Sequence, residues 1–251
     1  MAVDLDDLAD KVRPKVDRVL RRIMRDAVTN YERTGTPGLP SDASQQVDDM
    51  LRDIYRMSIT LGARDVEDGL KDCFLHLETK QTAEELFQSF IDLFMIRFGA
   101  EKVVLITDTT RKQIRRGVQI AQDEGLGVAE TAKQLRDAIP TFSATRSAVI
   151  ARTETHASSQ FGSMKMAEQS SRPLVKRWSS VQDDRTRALA EGDEFGHRSI
   201  DGQTVAMEQA FQVPTRAGGT EPLMFPGAPE GSAGNVINCR CAMTYKRADR
   251  D

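Results

Sequence analysis

The chain has 251 residues, of which 39% are hydrophobic and 29% are charged, a composition that is ordinary for a folded globular protein and excludes wholesale disorder. Its formal net charge of -3 excludes a global positive field, so binding to nucleic acid or anionic lipid would need a local basic patch. The length suffices for a buried core in one large domain or two modest ones.

The first ten residues contain four Asp and lack the basic-then-apolar order of a signal peptide, so we expect no export. The most apolar stretch, Leu86 to Gly99, is interrupted by Asp92 and Arg97 and is too short to span a bilayer. We therefore expect a core helix there and no membrane partner.

The N-terminal part has the pattern of amphipathic helices. Apolar residues at steps of three and four predict one helix over residues 4–30, with Pro14 as the place for a bend, and a second over residues 41–66. The glycine- and proline-containing segment TGTPGLPSD separates them.

Further along, Thr82 and Glu85 have the spacing of a capping box, which predicts the start of a third helix that Gly99 is expected to end. The next segment, KVVLIT, fits a short strand by its β-branched content and a helix by its surroundings.

Three more helices are predicted after it. They comprise DTTRKQIRRGVQIAQDEG, then GVAETAKQLRDAIP closed by Pro140, then a longer one that begins near Ser143. The chain is therefore expected to be all helical up to about Gln169.

Beyond Ser170 the pattern changes. LVKRWSSV and AFQVP alternate apolar and polar residues as strands do, and many glycines and prolines predict long loops around them. We predict a mainly α protein whose long helical N-terminal part is followed by a small, loop-rich α+β C-terminal module. The predicted regions are a helical anchoring or interaction region over residues 1–105, a helical region over 106–170 and the α+β module over 171–251.

Cys239 and Cys241 lie one residue apart near the end of the chain, and the only other cysteine is Cys73. Three cysteines without an export signal do not predict a disulfide scaffold. Together with His197 and an acid, the pair could form a structural zinc site that pins a module poor in hydrophobic residues. The candidates for the acid are Asp183, Asp184 and Asp201, and we take Asp184. The alternatives are that both thiols pack as small hydrophobic side chains, or that they close a strained disulfide outside the reducing cytoplasm.

The segment QDDRTR holds two carboxylates and two guanidinium groups. Arg185 and Arg187 beside Asp184 could bind phosphate or a partner's carboxylate, or the four charges could form a local network that orders a loop, which we favour. Trp178, the only tryptophan, is expected in the core of the module.

The segment ARTETH lies on a predicted helix, where Arg152 and His156 share a face and Glu154 points elsewhere. An Arg, a Glu and a His close together can form an enzyme site. We favour a structural role, in which a buried ion pair of Arg152 joins the helical part to the C-terminal module.

Two basic runs are candidates for contact with a nucleic acid or a partner. RKQIRRG places Arg111 with Arg115, and Lys112 with Arg116, on shared helix faces that could follow a phosphate backbone. RPLVKR contains the second run, with Arg172, Lys176 and Arg177. The simpler interpretation of either run is a solvated surface.

Five segments occur in an order that is specific in combination: GVAETAKQLRDAI, ARTETHASSQFG, KRWSSVQDDRTR, FGHRSIDGQTV and INCRC. In this order they resemble the phage Mu F-type minor head protein family, also called the phage head morphogenesis domain, over roughly residues 110–247. One departure is the segment ALAEGDEFG, which separates Arg187 from His197 where the family usually has its histidine close behind, and which we interpret as an insertion.

The resemblance implies a minor structural component of a tailed phage virion that acts in head assembly and in genome packaging or delivery. It implies partners among the portal protein, the major capsid protein and packaged DNA, several copies per particle, and a location in the virion head after assembly in the host cytoplasm. It implies no catalysis. The alternatives from the residues are a metal-dependent hydrolase or nuclease that uses His197, Asp184 and the cysteines, and a nucleic-acid-binding module that uses the arginine runs.

Overall fold

A computed structural model describes residues 5–74 and 82–248 of the chain. The fold is mainly α, with a small strand-containing region at the C-terminal end, as predicted. The helices are α1 (Leu5–Thr34), α2 (Ala43–Gly69), α3 (Ala83–Phe94), α4 (Ala100–Asp123), α5 (Val128–Ala167) and the short α6 (Ala233–Val236). The strands are β1 (Leu174–Ser179), β2 (Thr204–Ala206), β3 (Phe211–Pro214), β4 (Thr220–Leu223) and β5 (Ala242–Arg247).

The predicted capping box is confirmed at the start of α3. The Thr82 amide donates to Glu85 Oε2 at 3.1 Å, and the Glu85 amide donates to Thr82 Oγ1 at 3.2 Å. Two backbone N–H groups that the helix cannot satisfy internally thus receive side-chain acceptors.

Gly99 does not end this helical stretch, which corrects the sequence prediction. Residues Met95–Gly99 form one π-helical turn that leads directly into α4. Gly99 has helical dihedrals, φ -57° and ψ -49°, and a Cβ there would meet the Met95 side chain at 2.7 Å. The glycine therefore makes room for Met95 and does not break the helix. KVVLIT lies inside α4, so the helical alternative for that segment is the one observed.

Pro140 also lies inside a helix, because α5 runs through it as far as Ala167. A proline inside a helix removes one backbone hydrogen bond and costs about 3 kcal/mol. Side chains on both sides of it, including Ile139, Ser143 and Ser147, are nevertheless buried. Their packing offsets the lost bond, so the predicted boundary at Pro140 is wrong.

The described chain divides into two compact units, each built from separated segments. One unit contains residues 9–54 and 95–151. Its core is formed by side chains of α1, α4 and α5, namely Met24, Ala27, Val28, Tyr31, Ile114, Val118, Ala132, Leu135 and Ile139. The Arg136 guanidinium pairs with Glu32 in the same unit.

Of the described residues, the other unit contains 5–8, 55–74, 82–94 and 152–248. An aromatic series runs through its core: Tyr55 lies 4.7 Å from Phe94, Phe94 lies 5.0 Å from Phe161, and Phe161 lies 6.1 Å from Phe225, measured between ring centroids. The ends of α2 and α5 and the whole C-terminal module belong to this unit. The predicted division at residues 105 and 170 concerns function and stays a prediction.

The C-terminal module consists of a three-stranded antiparallel sheet in the order β2-β1-β5 and a separate β3-β4 hairpin. The predicted strands LVKRWSSV and AFQVP are confirmed as β1 and β3. Along β1 the side chains of Leu174, Lys176 and Trp178 are buried and alternate with half-buried ones. Trp178 pairs in register with Met243 of β5, which places the last strand beside the tryptophan.

None of the helices in the described ranges combines the length and hydropathy that a bilayer crossing needs.

Candidate metal centre

His197, Cys239 and Cys241 meet in the interior of the C-terminal module. The Nδ1 atom of His197 lies 3.7 Å from Cys239 Sγ and 3.5 Å from Cys241 Sγ. The three ligand atoms all lie within 4.8 Å of one another, and the residues are 1%, 1% and 3% exposed. Three of the four ligands predicted from the sequence are therefore brought together.

Hydrogen bonds fix the orientation of the His197 ring. Its Nε2 atom lies 2.6 Å from Asn235 Oδ1, and Asn235 Nδ2 donates to Glu221 Oε1 at 2.9 Å. Because the Asn235 amide nitrogen is the donor to Glu221, its oxygen must accept, so His197 Nε2 carries the proton. The lone pair of Nδ1 consequently faces the two sulfur atoms, as in a metal-ligating histidine whose other nitrogen is held by a carbonyl oxygen.

The ring of Trp178 encloses the same site. It packs edge-on against His197 at 5.3 Å and against Phe211 at 5.3 Å, and it is fully buried. The prediction that Trp178 is a core residue of the module is thus consistent with its position.

The cysteine segment takes its shape from a turn at Asn238, whose φ of 56° lies in the left-handed region that Asn tolerates better than most residues. The Asn238 amide donates to Thr153 Oγ1 at 3.1 Å, and Arg152 Nη1 donates to Asn238 Oδ1 at 3.3 Å. These contacts anchor the turn to α5. Beyond it, Cys239 and Cys241 meet the same histidine, and Arg240 between them pairs with Asp183.

The two thiols differ in acidity. The neighbouring Cys241, with His156 and His197, holds the pKa of Cys239 well below its ordinary value, whereas the neighbouring Cys239 and burial raise the pKa of Cys241. Thiolate is the form of cysteine that binds metals.

Two further polar groups at this site lack partners. His156 Nε2 and Trp178 Nε1 are buried and make no hydrogen bond within the part of the chain that the structure describes. His156 is 3% exposed and lines one cavity together with Cys239. The Trp178 ring lies beside the cluster, 5.3 Å from the His197 ring.

The structure does not bring Asp184 to the cluster. Its side chain is exposed, and it is absent from the set of ligand groups found in the described ranges. Asp201 instead accepts a hydrogen bond from the Ser180 amide at 2.7 Å. Asp183 pairs with Arg240, and this hydrogen bond lowers its pKa to about 2. The sequence suggested an aspartate as the fourth ligand. In the structure Asp183 and Asp201 bind other groups, and Asp184 is exposed to solvent.

Three of the four charged residues of QDDRTR, Asp183, Arg185 and Arg187, make contacts that help to order this loop. Arg185 Nε lies 3.8 Å from Asp183, and Arg187 donates to the backbone carbonyl of Ile237. Arg198 donates to the backbone carbonyl of Asp183 at 2.8 Å. Arg187 and Arg240 together tie this loop to the cysteine segment. Contact of Arg185 or Arg187 with a partner stays a prediction.

The residues of ARTETH take separate positions. Arg152 Nε lies 3.5 Å from Asp6 in addition to its bond with Asn238. Glu154 is buried and accepts a hydrogen bond from the Tyr55 hydroxyl at 2.8 Å. Arg152 thus connects α5 to the cysteine segment through the side-chain amide of Asn238. Glu154 connects α5 to α2 through the Tyr55 hydroxyl.

The two basic runs differ in exposure. Lys112, Arg115 and Arg116 are exposed on α4, and Arg111 is half-buried and pairs with Asp108. Lys176 is fully buried and donates to the Met224 carbonyl at 2.8 Å, so it cannot reach a phosphate backbone as the sequence suggested. Alternation along β1 directs it inward beside Trp178.

Sequence reasoning did not identify Asn235, Glu221 or the position of His156 beside the cysteines. Asn235 lies just before INCRC, and a search for a carbonyl partner of His197 could have found it. His156 is followed by the small residues Ala157, Ser158 and Ser159, a pattern that indicates close packing on that helix. Cys239, which lines the same cavity, is too distant from His156 in the sequence for a local pattern to predict that the two residues lie close together.

Two thiols and one imidazole are the ligand types that Zn²⁺ prefers, and a buried, hydrogen-bonded set of this kind is typical of a structural site.

No curated protein and no solved structure matches the chain. The family model described as Phage Mu protein F like protein matches residues 110–244, which is more than half of the 251 residues. The match begins in α4, ends in β5 and includes His156, His197 and both cysteines of the cluster. The chain therefore belongs to the Phage Mu protein F like family, whose members are structural proteins of phage head morphogenesis.

Proposed function

We propose that this protein is a minor component of the phage head that acts in head assembly and in genome packaging or delivery, through contacts with the portal protein, the major capsid protein or packaged DNA. The observation that carries the proposal is the family match over residues 110–244. We further propose that the protein acts by binding and not by catalysis.

The geometry of the candidate site supports a binding role. His197 and both cysteines are almost completely buried, and Asp184, the acid that a hydrolase would use beside them, is exposed elsewhere. A catalytic zinc site keeps an open position with a general base close to it. The hydrolase or nuclease interpretation therefore has less support than the structural one.

Exposed apolar side chains offer a surface for a protein partner. Ile96 is 80% exposed, and Val104 and Leu105 are 54% and 53% exposed, all within the same compact unit. Large apolar side chains that stay exposed can mark sites of protein contact. We propose that this surface contributes to binding the portal or the major capsid protein, in keeping with the predicted role of residues 1–105 in anchoring.

The exposed basic residues of α4 support a weaker, second contact. Lys112, Arg115 and Arg116 could meet the phosphates of packaged DNA. With a net charge of -3, the whole protein would bind DNA weakly, which suits a molecule past which DNA must move.

Particle composition tests the proposal. Procapsids and mature heads are purified from an infection, and this protein is quantified in each by mass spectrometry, with portal protein as the internal reference. We expect it in several copies per portal and expect it to co-purify with portal or capsid protein. Absence from both kinds of particle would refute a structural role in the head.

Variants locate the contact. Ile96→Asp and Leu105→Asp should reduce incorporation into particles, because each places a charge in an apolar interface. Val128→Asp is the matched control, since Val128 is also an exposed apolar residue, at 42%, but lies at the start of α5. Equal incorporation of all three variants would exclude the proposed surface.

A further inference from the structure

The cluster of His197, Cys239 and Cys241 has three ligands, whereas a structural zinc site is closed by four in a tetrahedral arrangement. The fourth ligand must come from a side chain that adjoins the sulfur atoms and has a nitrogen, sulfur or oxygen atom free to bind. Asp184 does not meet this condition, because its side chain is exposed.

His156 is the candidate, although its nitrogen atoms lie outside the group of ligand atoms within 4.8 Å of one another, so its side chain would have to move closer to complete the site. The residue is 3% exposed, it lines one cavity together with Cys239, and its Nε2 atom has no hydrogen-bond partner in the described ranges. A buried imidazole nitrogen without a partner costs about 1–3 kcal/mol, so a retained one points to a ligand that satisfies it.

We propose that His156, His197, Cys239 and Cys241 bind one Zn²⁺ ion, which joins helix α5 to the C-terminal cysteine segment. The four residues provide two thiolates and two imidazoles, a common set in structural zinc sites. Both cysteines would bind the ion as thiolates, so metal binding would release protons.

The surrounding residues fit the role of outer partners. Asn235 accepts from His197 Nε2 and itself donates to Glu221, which fixes the ring with its other nitrogen toward the sulfurs. The indole N–H of Trp178 has no hydrogen-bond partner among the described residues, and its ring packs against His197 at 5.3 Å, so it is available to donate to a metal-bound thiolate. Such partners orient the ligands of a metal and raise its affinity.

An entry path is also present. A cavity of about 200 Å³ is lined by His156 and Cys239 together with Asp6 and Arg152. It gives an ion access to the proposed site from the side of α5.

The ion would complete a series of contacts along α5. Thr153 accepts from the Asn238 amide at 3.1 Å, and Gln160 Oε1 accepts from the Met243 amide at 2.8 Å. His156 lies between these two positions on the helix, and Cys239 lies between them on the terminal segment. Zinc would thus join α5 to the cysteine segment at a point between two existing hydrogen bonds. A bound metal is one way in which a small, loop-rich module gains stability.

The test uses the full chain, purified under reducing conditions and loaded with Zn²⁺ alone or Co²⁺ alone. Metal analysis should find one zinc ion per chain, and the cobalt form should show the intense visible absorption of tetrahedral Co²⁺ with a thiolate-to-cobalt charge-transfer band. Cys239→Ser, Cys241→Ser and His197→Ala should each abolish both signals.

Two controls separate the site from general effects. Cys73→Ser removes the remaining cysteine, which is buried but outside the cluster, and Asp184→Asn removes the acid that the sequence suggested. Both variants should keep one ion per chain. Loss of metal from either control alone, with the cysteine variants unaffected, would contradict the assignment.

The role of His156 has its own readout. His156→Ala, and His156→Gln as a variant of more similar volume, should change the cobalt spectrum, because water replaces a nitrogen ligand. Both variants should also weaken zinc binding. Asn235→Ala removes a residue that only orients a ligand and should lower zinc affinity roughly 10–100-fold. The His156 variants should lower it by more than Asn235→Ala does. A cobalt spectrum and affinity equal to those of the wild type would show that His156 is not a ligand.

Two results with the wild-type chain would overturn the whole proposal. One is the absence of bound metal after loading with either ion. The other is a disulfide between Cys239 and Cys241 in the protein purified without reductant, detected by peptide mass spectrometry. Neither result depends on whether a variant folds, and neither bears on the role of the protein in the phage head.

Discussion

Gly162 of helix α5 lies where that helix meets α2 most closely. A Cβ atom on Gly162 would come within 2.4 Å of the Ile59 carbonyl oxygen and 2.9 Å of Ile59 Cα. The approach is reciprocal, since a Cβ on Gly62 would come within 2.2 Å of the Ser159 carbonyl oxygen. The obstructing atoms belong to the backbone and cannot rotate away, so Gly162→Ala must separate the helices locally.

The expected cost follows from these distances. Restoring an ordinary contact requires the helices to move apart by about 1 Å, which weakens the packing around the crossing. Overpacking of this kind costs about 1–3 kcal/mol. Loss of the 3.0 Å hydrogen bond from Ser163 Oγ to the Gly62 carbonyl would lower the free energy of unfolding by about 1 kcal/mol. The higher helix propensity of Ala would raise it by about 1 kcal/mol. We expect Gly162→Ala to lower the free energy of unfolding by about 2 kcal/mol.

Urea unfolding followed by far-UV circular dichroism measures the effect. Gly69→Ala is the matched control, because Gly69 lies in α2, the helix that Gly162 contacts, and a Cβ at Gly69 meets nothing within 4 Å. The control should be unchanged or more stable by at most about 1 kcal/mol. A Gly162→Ala variant as stable as the wild type would refute the inference that the glycine is required by close helix contact.

Further predictions concern buried and charged side chains. Burial lowers the pKa of Lys176 from 10.5 to about 8, so this lysine loses its proton at a lower pH in the folded protein than in the unfolded chain. The free energy of unfolding should therefore rise by up to about 3 kcal/mol between pH 8 and 10.5. Lys176→Met should remove that rise in urea titrations at several pH values, and an unchanged slope would contradict the assignment. The hydrogen bond from Arg240 lowers the pKa of Asp183 to about 2, so its stabilising effect is present above pH 4 and is lost as the pH falls through 2. Thermal melts of Asp183→Asn should therefore depend less on pH than those of the wild type in this interval, and identical profiles would exclude the effect. Tyr55→Phe removes a buried donor to Glu154 and should lower the free energy of unfolding by about 2 kcal/mol in urea titrations; a loss below about 0.5 kcal/mol would show that the bond contributes little.

The helices were largely predictable because their signals are local. Apolar steps of three and four in α1 and α2, and the Thr82–Glu85 capping box, depend on residues within one or two turns of each other. Gly99 and Pro140 misled the prediction because each can end a helix but need not do so. Whether it does depends on packing, here of Met95 over Gly99 and of Ile139 beside Pro140.

Part of the candidate site was also predictable. The chemistry of sulfur and imidazole indicated that His197, Cys239 and Cys241 belong together, and the order of five short segments indicated the family that the match over residues 110–244 shows. The position of His156 was not predictable, since no local pattern relates a residue in the middle of α5 to a turn close to the end of the chain.

The sequence by itself thus determined the mainly α class, the family and the ligand types, because periodicity, motif order and side-chain chemistry are properties of short segments. Only the tertiary structure decided that Asp184 stays outside the cluster, that Lys176 is buried, and that His156 and Cys239 line one cavity. These facts depend on how distant segments pack, and packing is set by all of the contacts of the folded chain together.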